Sequence, residues 1–287
     1  MKLLVLGAGG RLGAALVRGY SRDHDVRGFS HAELDLTDLP RLREALATLD
    51  FDLLINCAAL TNVDYCESHR AEAFLINAEA PGVLAETCRK KRAKLIHFST
   101  DYVFDGERST PYREDDAAAP LSVYGESKLG GERAVLDVSE EALVVRVSWV
   151  FGPDRPSFVD QVIRRAREHD QVAAVSDKIS TPTYTFDIAQ SLAATWENGG
   201  LLHLANEGAC SWQEYAQHAL DCCTAGGLKL KSNHVDPLKL RDMTNFMARR
   251  PVYTVLSTDR FAQLSGFRPR SWREAVAAYV KDHVAKQ

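Results

Sequence analysis

The feature that most limits what this chain can fold into lies at its start. A short apolar run, Lys2–Leu6, leads directly into Gly7-Ala8-Gly9-Gly10-Arg11-Leu12-Gly13, and a helical pattern follows. Glycines at 7, 10 and 13 form GxxGxxG. Gly7 permits a tight turn, Gly10 lets the backbone approach a pyrophosphate, and Gly13 lets helix and strand pack closely. A helix opening at such a loop offers unpaired N–H groups and a positive dipole end to an anion. A glycine triplet by itself is equally a turn in an unrelated α/β fold. The strand before it and the helix after it make a dinucleotide site the expectation.

The chain beyond the loop keeps the same grammar. Apolar, β-branched runs at Lys2–Leu6, Asp25–Phe29, 52–57, 94–98 and 142–148 alternate with helical stretches. In 39–49, Leu39, Leu42, Leu46 and Leu49 share one face. Residues 71–91 read as helix interrupted at Pro81, which starts or kinks a segment. Continuous apolar strands between helices imply a parallel sheet covered on both faces. The expected fold is therefore α/β, a Rossmann-type doubly wound parallel sheet. Residues 1–150 form the dinucleotide-binding part, with later segments returning to it. Residues 151–287 form mainly a smaller lobe, with helices at Phe158–Glu168, 212–223 and 272–286 and strands at 171–175 and 201–205. Residues 233–254 hold two prolines and no clear period, and read as a long functional loop.

Composition excludes several classes. The net charge of -4 argues against a nucleic-acid partner. No apolar run approaches the roughly 20 residues a membrane helix needs, and the run at residues 3–6 is too short for a secretion signal. A cytoplasmic protein is expected. The six cysteines form no CxxC pair and no zinc-spaced cluster, so free thiols and no metal site are expected.

Ser122-Val123-Tyr124-Gly125-Glu126-Ser127-Lys128 carries YxxxK. On a helix this spacing puts Tyr124 and Lys128 on one face, one turn apart. A phenol titrates too high, near 10, for efficient proton transfer at neutral pH. A neighbouring ammonium favours the phenolate and brings that value down. The pair suits proton donation to a carbonyl as hydride arrives at carbon, with Lys128 also bonding a nicotinamide ribose. An isolated YxxxK is equally a surface helix with a solvated lysine; its place after a glycine loop and between two strands favours chemistry. Ser99 and Thr100 stand at the end of the fourth strand, where open α/β sheets bind ligands. Thr100 is placed to hydrogen-bond the same carbonyl. At the end of the second strand, Gly28-Phe29-Ser30-His31 lacks the acid that marks NAD sites. Arg11 either meets a 2′-phosphate or is a solvated surface arginine. The balance leans toward NADPH over NADH.

The longer runs resemble a known family. STDYVFDG at 99–106, SVYGESKLGGE at 122–132 and RVSWVFG at 146–152 closely resemble the dTDP-4-dehydrorhamnose reductases, within the extended short-chain dehydrogenases. The resemblance spans nearly the whole chain, taking in the glycine loop and residues 34–38, 55–61, 180–185, 203–208 and 248–251. It implies reduction of dTDP-6-deoxy-L-lyxo-4-hexulose to dTDP-L-rhamnose with NADPH or NADH. It makes Tyr124 the proton donor, Lys128 its partner and Thr100 the substrate-side hydroxyl. Thr100 and Asp101 would touch the sugar, and Trp149 would pack beside it or serve as a core aromatic. Gly7, Gly10, Arg11, Leu12, Gly13, Asp35, Leu36, Ala58, Ala59, Leu60 and Thr61 would line the cofactor with Tyr124 and Lys128. Three departures stand out. Cys57 replaces a frequent alanine, and Leu60 an aromatic or histidine. Ala14 and Ala15 occupy the helix where some members place an acid for a magnesium-bridged dimer, so no such metal or dimer is expected and the chain is a monomer or a homodimer. Alternatives are another nucleotide-sugar ketoreductase, an epimerase or dehydratase on the same scaffold, or an NADP-binding regulatory subunit like the methionine adenosyltransferase β-subunit. The 148–152 run favours the reductase.

Overall fold

A computed structural model of the chain describes residues 1–284. The first half runs β1 (Lys2–Leu6), α1 (Arg11–Tyr20), β2 (Asp25–Phe29), α2 (Leu39–Thr48), β3 (Leu53–Asn56), α3 (Val63–Ser68), α4 (Arg70–Phe74), α5 (Ala80–Lys91), β4 (Lys94–Thr100), α6 (Val123–Leu136) and β5 (Leu143–Val147). The second half runs β6 (Val150–Phe151), α7 (Phe158–Glu168), β7 (Val172–Val175), β8 (Ile179–Ser180), β9 (Thr183–Tyr184), α8 (Thr185–Leu192), β10 (Gly200–His203), β11 (Cys210–Ser211), α9 (Trp212–Ala225), β12 (Val235–Leu238), α10 (Asp259–Ser265) and α11 (Trp272–Tyr279).

Six strands form one parallel sheet in the order β10-β5-β4-β3-β1-β2. The chain steps outward from β1 to β2, then resumes on the other side at β3. A crevice therefore opens at the carboxyl ends of β1 and β3, where such sheets bind ligands. One face of the sheet packs on Leu16 and Tyr20 of α1 and Ile188 and Leu192 of α8. The other packs on Leu42 and Leu46 of α2, Leu84 and Cys88 of α5 and Val135 of α6. Helices on both faces account for the fully buried strands, β3 and β5 above all. A separate core joins α7, α9, α11, β7 and β12 through Val159, Ile163, Tyr215, Ala219, Val235 and Val276. No helix among the described residues is long and apolar enough to cross a membrane. All six cysteines are free, four of them buried.

Several local expectations shift. The strand expected at 94–98 continues to Thr100, because the sheet pairing with β5 runs through Thr100↔Val147. The helix expected at 71–91 is two helices joined by a π-turn at Leu75–Glu79, and Pro81 sits in the first turn of α5, where its missing N–H costs nothing. The stretch 233–254 is not all loop. Val235–Leu238 pairs in parallel with β7, and Pro237 is tolerated because the sheet has only these two strands. The C-terminal helix turns from α into a π-turn at Val280–Val284, and the rest of its expected span lies outside the described residues.

Candidate active site

The glycine loop is built as its spacing requires. Gly7 has φ +77, and a Cβ there would lie 2.8 Å from Ala58 N. A Cβ on Gly13 would stand 2.2 Å from Gly7 O, so only glycine lets α1 approach the loop this closely. Gly10 donates its N–H to Gly7 O at 2.8 Å and caps α1 without a side chain. The first turn of α1 holds no acid. An uncapped, un-neutralised helix N-terminus behind a loop stripped of side chains fits a pyrophosphate. Leu12 is partly buried against the sheet core.

The segment after β3 forms the opposite wall. Asn56 accepts the N–H of Ala58 (3.1 Å), and its Nδ2 lies 3.0 Å from His97 Nδ1. Asn77, fully buried in the π-turn, accepts Leu60 N (2.9 Å) and donates to Leu60 O (3.0 Å) and Ser127 Oγ (3.0 Å). Two asparagines thus fix the backbone of residues 58–60, with Ala59 half-buried and Thr61 exposed.

Three of the residues expected to line the cofactor have side chains engaged within the fold. Arg11 is neither a free surface arginine nor aimed at a ribose. Its guanidinium donates to Arg155 O (3.1 Å), Val150 O (3.1 Å) and Pro156 O (2.6 Å), because the backbone of 150–156 presents three carbonyls to it. Asp35 is turned onto its own loop and accepts Thr37 N at 2.8 Å. The Leu36 side chain is buried in the core with Leu42 and Leu46.

Tyr124 and Lys128 lie on one face of α6, whose N-cap Ser122 accepts Gly125 N. The helix comes very close to its neighbours: Cβ atoms on Gly125 and Gly131 would lie 2.2 Å from Tyr102 O and 2.1 Å from Asn77 O. Lys128, only 2% exposed, donates Nζ to Phe98 O at 2.7 Å and lies 3.4 Å from His97 Nε2. Burial brings its pKa down to about 8, while Glu132 one turn on pulls it back up. His97 is held neutral by burial and by the same ammonium. Tyr124 packs edge-on against Tyr102, centroids 5.7 Å apart. Its phenol does not follow the expectation that a lysine draws it down. Burial pushes it up, and the group opposing that rise is the Thr100 hydroxyl, while the Lys128 ammonium is directed at the Phe98 carbonyl.

Thr100 and Asp101 follow at the end of β4, both buried. Thr100 Oγ1 donates to Asp101 Oδ1 (3.1 Å) and accepts Tyr102 N (3.2 Å); Ser148 Oγ donates to Asp101 Oδ2 (2.9 Å). Burial raises the Asp101 carboxyl, and the nearby Lys178 ammonium opposes that rise. Trp149 adopts φ +41 and packs at a tilt against Phe158 and Trp212 and edge-to-face against Tyr215, at centroid distances of 5.1, 5.6 and 4.8 Å. It is half-buried and serves the lobe core.

Residues the sequence did not single out complete the surroundings. Lys178, 2% exposed, donates Nζ to Pro251 O (2.6 Å) and lies 5.0 Å over the Tyr102 ring; burial lowers its pKa to about 8. Asp64 of α3 accepts Met247 N, Ala248 N and both guanidinium arms of Arg250, clamping the segment 247–250 against α3. Beside this clamp a cavity of about 380 Å³ is lined by Asp177, Leu240, Met243, Phe246, Arg249 and Arg250. No sequence periodicity marks these groups. For the segment 247–250 the signals were the aperiodic stretch around it and the family resemblance of 248–251; Asp64 and Lys178 carried none.

With this geometry in hand, the likenesses to known proteins are informative. The family model described as RmlD substrate binding domain matches residues 1–285. The dTDP-4-dehydrorhamnose reductase of Mycobacterium tuberculosis is 39% identical over 290 residues, covering 96% of this chain and 91% of the relative. A probable dTDP-4,6-dihydroxy-2-methyloxan-3-one 4-ketoreductase of Streptomyces antibioticus is 38% identical, covering 100% of this chain and 97% of the relative. The crystal structure of the dTDP-4-dehydrorhamnose reductase of Bacillus anthracis in complex with NADP superposes with a TM-score of 0.88 at 31% identity, covering 97% of this chain and 98% of that one. The chain belongs to the dTDP-4-dehydrorhamnose reductase family.

Proposed function

We propose that the protein reduces the 4-keto group of dTDP-6-deoxy-L-lyxo-4-hexulose to give dTDP-L-rhamnose, with NADPH or NADH as reductant. The observation that carries this reading is the convergence of Thr100, Tyr124 and Lys128 at the carboxyl end of β4, on the side of the sheet where the glycine loop opens. A nicotinamide dinucleotide held by the glycine loop and residues 58–61 would supply the hydride that C4 of the sugar receives. Tyr124 donates its phenolic proton to the carbonyl oxygen as that oxygen gains charge, so the ketone becomes an alcohol. Thr100, beside the phenol, has one hydroxyl hydrogen, donated to Asp101 Oδ1; turned from there, it would give the same oxygen a second hydrogen bond. Lys128 is the positive charge one turn from the phenol; its ammonium bonds the Phe98 carbonyl and would turn from there to the ribose and the phenolate once the dinucleotide is bound. Residues 58–61 and the glycine loop form the two walls of the dinucleotide crevice. Residues 1–150 act mainly on the dinucleotide and 151–287 on the nucleotide sugar, whose base end fits the arginine-lined cavity at 240–252. The protein works in the cytoplasm.

A second reading is favoured by one finding: the Streptomyces antibioticus ketoreductase is as similar as the rhamnose enzymes. On that reading the chemistry is unchanged and the sugar differs. The test is NADPH consumption with dTDP-6-deoxy-L-lyxo-4-hexulose, its UDP and GDP counterparts and other dTDP-4-keto sugars. Turnover with the first, and a loss of kcat of about 100-fold or more in Tyr124→Phe, is expected. Consumption confined to another keto sugar would select the second reading. Full activity in Tyr124→Phe would remove the assigned acid.

A further inference from the structure

The crevice carries a positively charged group whose use is not explained by the reduction step. β2 ends at Phe29, and Ser30 and His31 follow, where an acid binds ribose hydroxyls in NAD sites. Over this strand end lies Arg155, from the segment after β6. It donates Nε to Gly9 O at 2.6 Å. A Cβ placed on Gly9 would stand 3.5 Å from Ser30 Cβ and 3.8 Å from Arg155 Nη2. The glycine loop, the end of β2 and this guanidinium therefore meet within one side chain's reach. Arg155 is exposed, and its two terminal nitrogens make no hydrogen bond to the described residues.

The segment that presents Arg155 is fixed. Arg11 takes the carbonyls of Val150, Arg155 and Pro156, so Arg155 is held by its own backbone. Arg18 of α1 grips Asp154 with both arms, at 2.8 and 2.7 Å. A guanidinium anchored through Nε, with Nη1 and Nη2 unbonded and Nη2 beside the glycine loop, has the fork that matches a phosphate.

We propose that Arg155 binds the 2′-phosphate of NADP(H) and sets the cofactor preference of this enzyme. The inference rests on the reading above that the glycine loop holds a nicotinamide dinucleotide. It moves the phosphate-binding role from Arg11, whose donors serve the fold, to a residue 144 positions later that Arg11 holds in place. Glu33 is the opposing group at the same strand end. Its Oε2 accepts both Ser30 N (2.8 Å) and Ser30 Oγ (2.7 Å). A carboxylate so placed repels a 2′-phosphate and suits a 2′-hydroxyl, so the NADPH/NADH ratio measures Arg155 against Glu33.

The experiment is equilibrium binding to the full chain, read by quenching of protein fluorescence, with NADPH, NADH, adenosine 2′,5′-bisphosphate and AMP. Arg155→Ala should weaken NADPH and adenosine 2′,5′-bisphosphate by roughly 10- to 100-fold, as loss of a charge-assisted hydrogen-bond pair does. NADH and AMP should stay within about two-fold. Arg155→Lys should recover part of the loss, since charge returns without the fork. Glu33→Gln should tighten NADPH. An unaltered thermal unfolding curve for Arg155→Ala would show that the loss is local. Equal weakening of NADPH and NADH, or no weakening of either, overturns the assignment while leaving the dinucleotide reading intact. Wild-type protein that binds neither dinucleotide overturns both.

Discussion

Glu132 offers the most searching test of how the site is held. Tyr124, Lys128 and Glu132 occupy successive turns of one face of α6. The Glu132 and Arg146 side chains are 4% and 3% exposed. Arg146 donates Nε to Glu132 Oε1 (2.8 Å) and Nη2 to Oε2 (2.6 Å), and Ser99 Oγ adds a third bond to Oε1 (2.5 Å). The pair thus ties α6 to β4 and β5 directly behind Lys128. Glu132→Ala leaves a guanidinium buried beside His203, which burial and Arg146 hold neutral with a pKa of about 3. Removing one partner of such a pair costs roughly 3–5 kcal/mol, and orphaning Ser99 adds about 1 kcal/mol. Against a total stability of about 5–15 kcal/mol, the variant should lose at least about 1 M from its urea midpoint, for a slope near 3 kcal/mol/M. Glu132→Met with Arg146→Met leaves no buried charge and should recover most of the loss. The double-mutant cycle should give a coupling of about 2 kcal/mol or more. A single-mutant loss under about 1 kcal/mol, or a double mutant no better than the single, would refute the reasoning. A functional arm goes with it. Glu132 raises the Lys128 pKa, so Glu132→Gln should bring that pKa below about 8 and move the alkaline fall in activity to lower pH than in the wild type.

Three further outcomes follow from the same geometry. Lys128 titrates at about 8 when folded, against 10.5 when unfolded, because burial disfavours its charge. The unfolded chain therefore holds the extra proton between those values, so this group's contribution to stability rises with pH through that window and its penalty is complete below it. Over the same window kcat/KM should fall as the ammonium is lost; a pH profile flat to the upper end of it would contradict the assignment. Gly13→Ala drives a methyl to 2.2 Å from Gly7 O, with backbone on both sides. NADPH affinity should drop by about ten-fold or more as α1 backs away from the anion, and unchanged binding in a fluorescence titration would count against the loop as the pyrophosphate site. Asp64→Ala frees Met247 N, Ala248 N and Arg250 together. Its KM for the nucleotide sugar should rise by about ten-fold, the value of one to two kcal/mol, with the NADPH dissociation constant steady; a rise in both would place the clamp elsewhere in function.

What could be read from the sequence divides along physical lines. Buried strands such as residues 53–56 and 143–147 announce themselves as continuous apolar runs, and the YxxxK face follows from helical spacing alone. β12 escaped because an edge strand with Pro237 and exposed charges carries neither alternation nor an apolar run. Asn77, Glu132, Arg146 and Lys178 escaped for another reason. Polar residues are normally outside, so a single sequence gives them no sign of being buried, and their partners lie far along the chain: Lys178 meets Pro251, and Asn77 meets Ser127. Arg11 shows the converse. Its position in the glycine loop suggested a ligand, yet three carbonyls from 150–156, invisible until the chain is folded, claim it. The phenol of Tyr124 also depends on depth: burial pushes it up and the Thr100 hydroxyl opposes that rise, while the lysine one turn away bonds the Phe98 carbonyl.

The strand order has a consequence for how the chain is made. β5 has every residue buried, and its outer neighbour is β10, which pairs Gly200–His203 with Leu143, Val144, Val145 and Arg146. Between them the chain leaves to build β6 through α8. During synthesis, the nascent sheet therefore waits for more than fifty residues with the unpaired edge of β5 open to other chains. A fragment cut near residue 150 would keep that edge for good. It should aggregate even though it contains the glycine loop, Thr100, Tyr124 and Lys128, because β10 and the Phe261 side chain of α10, which cover β5 in the whole chain, are missing.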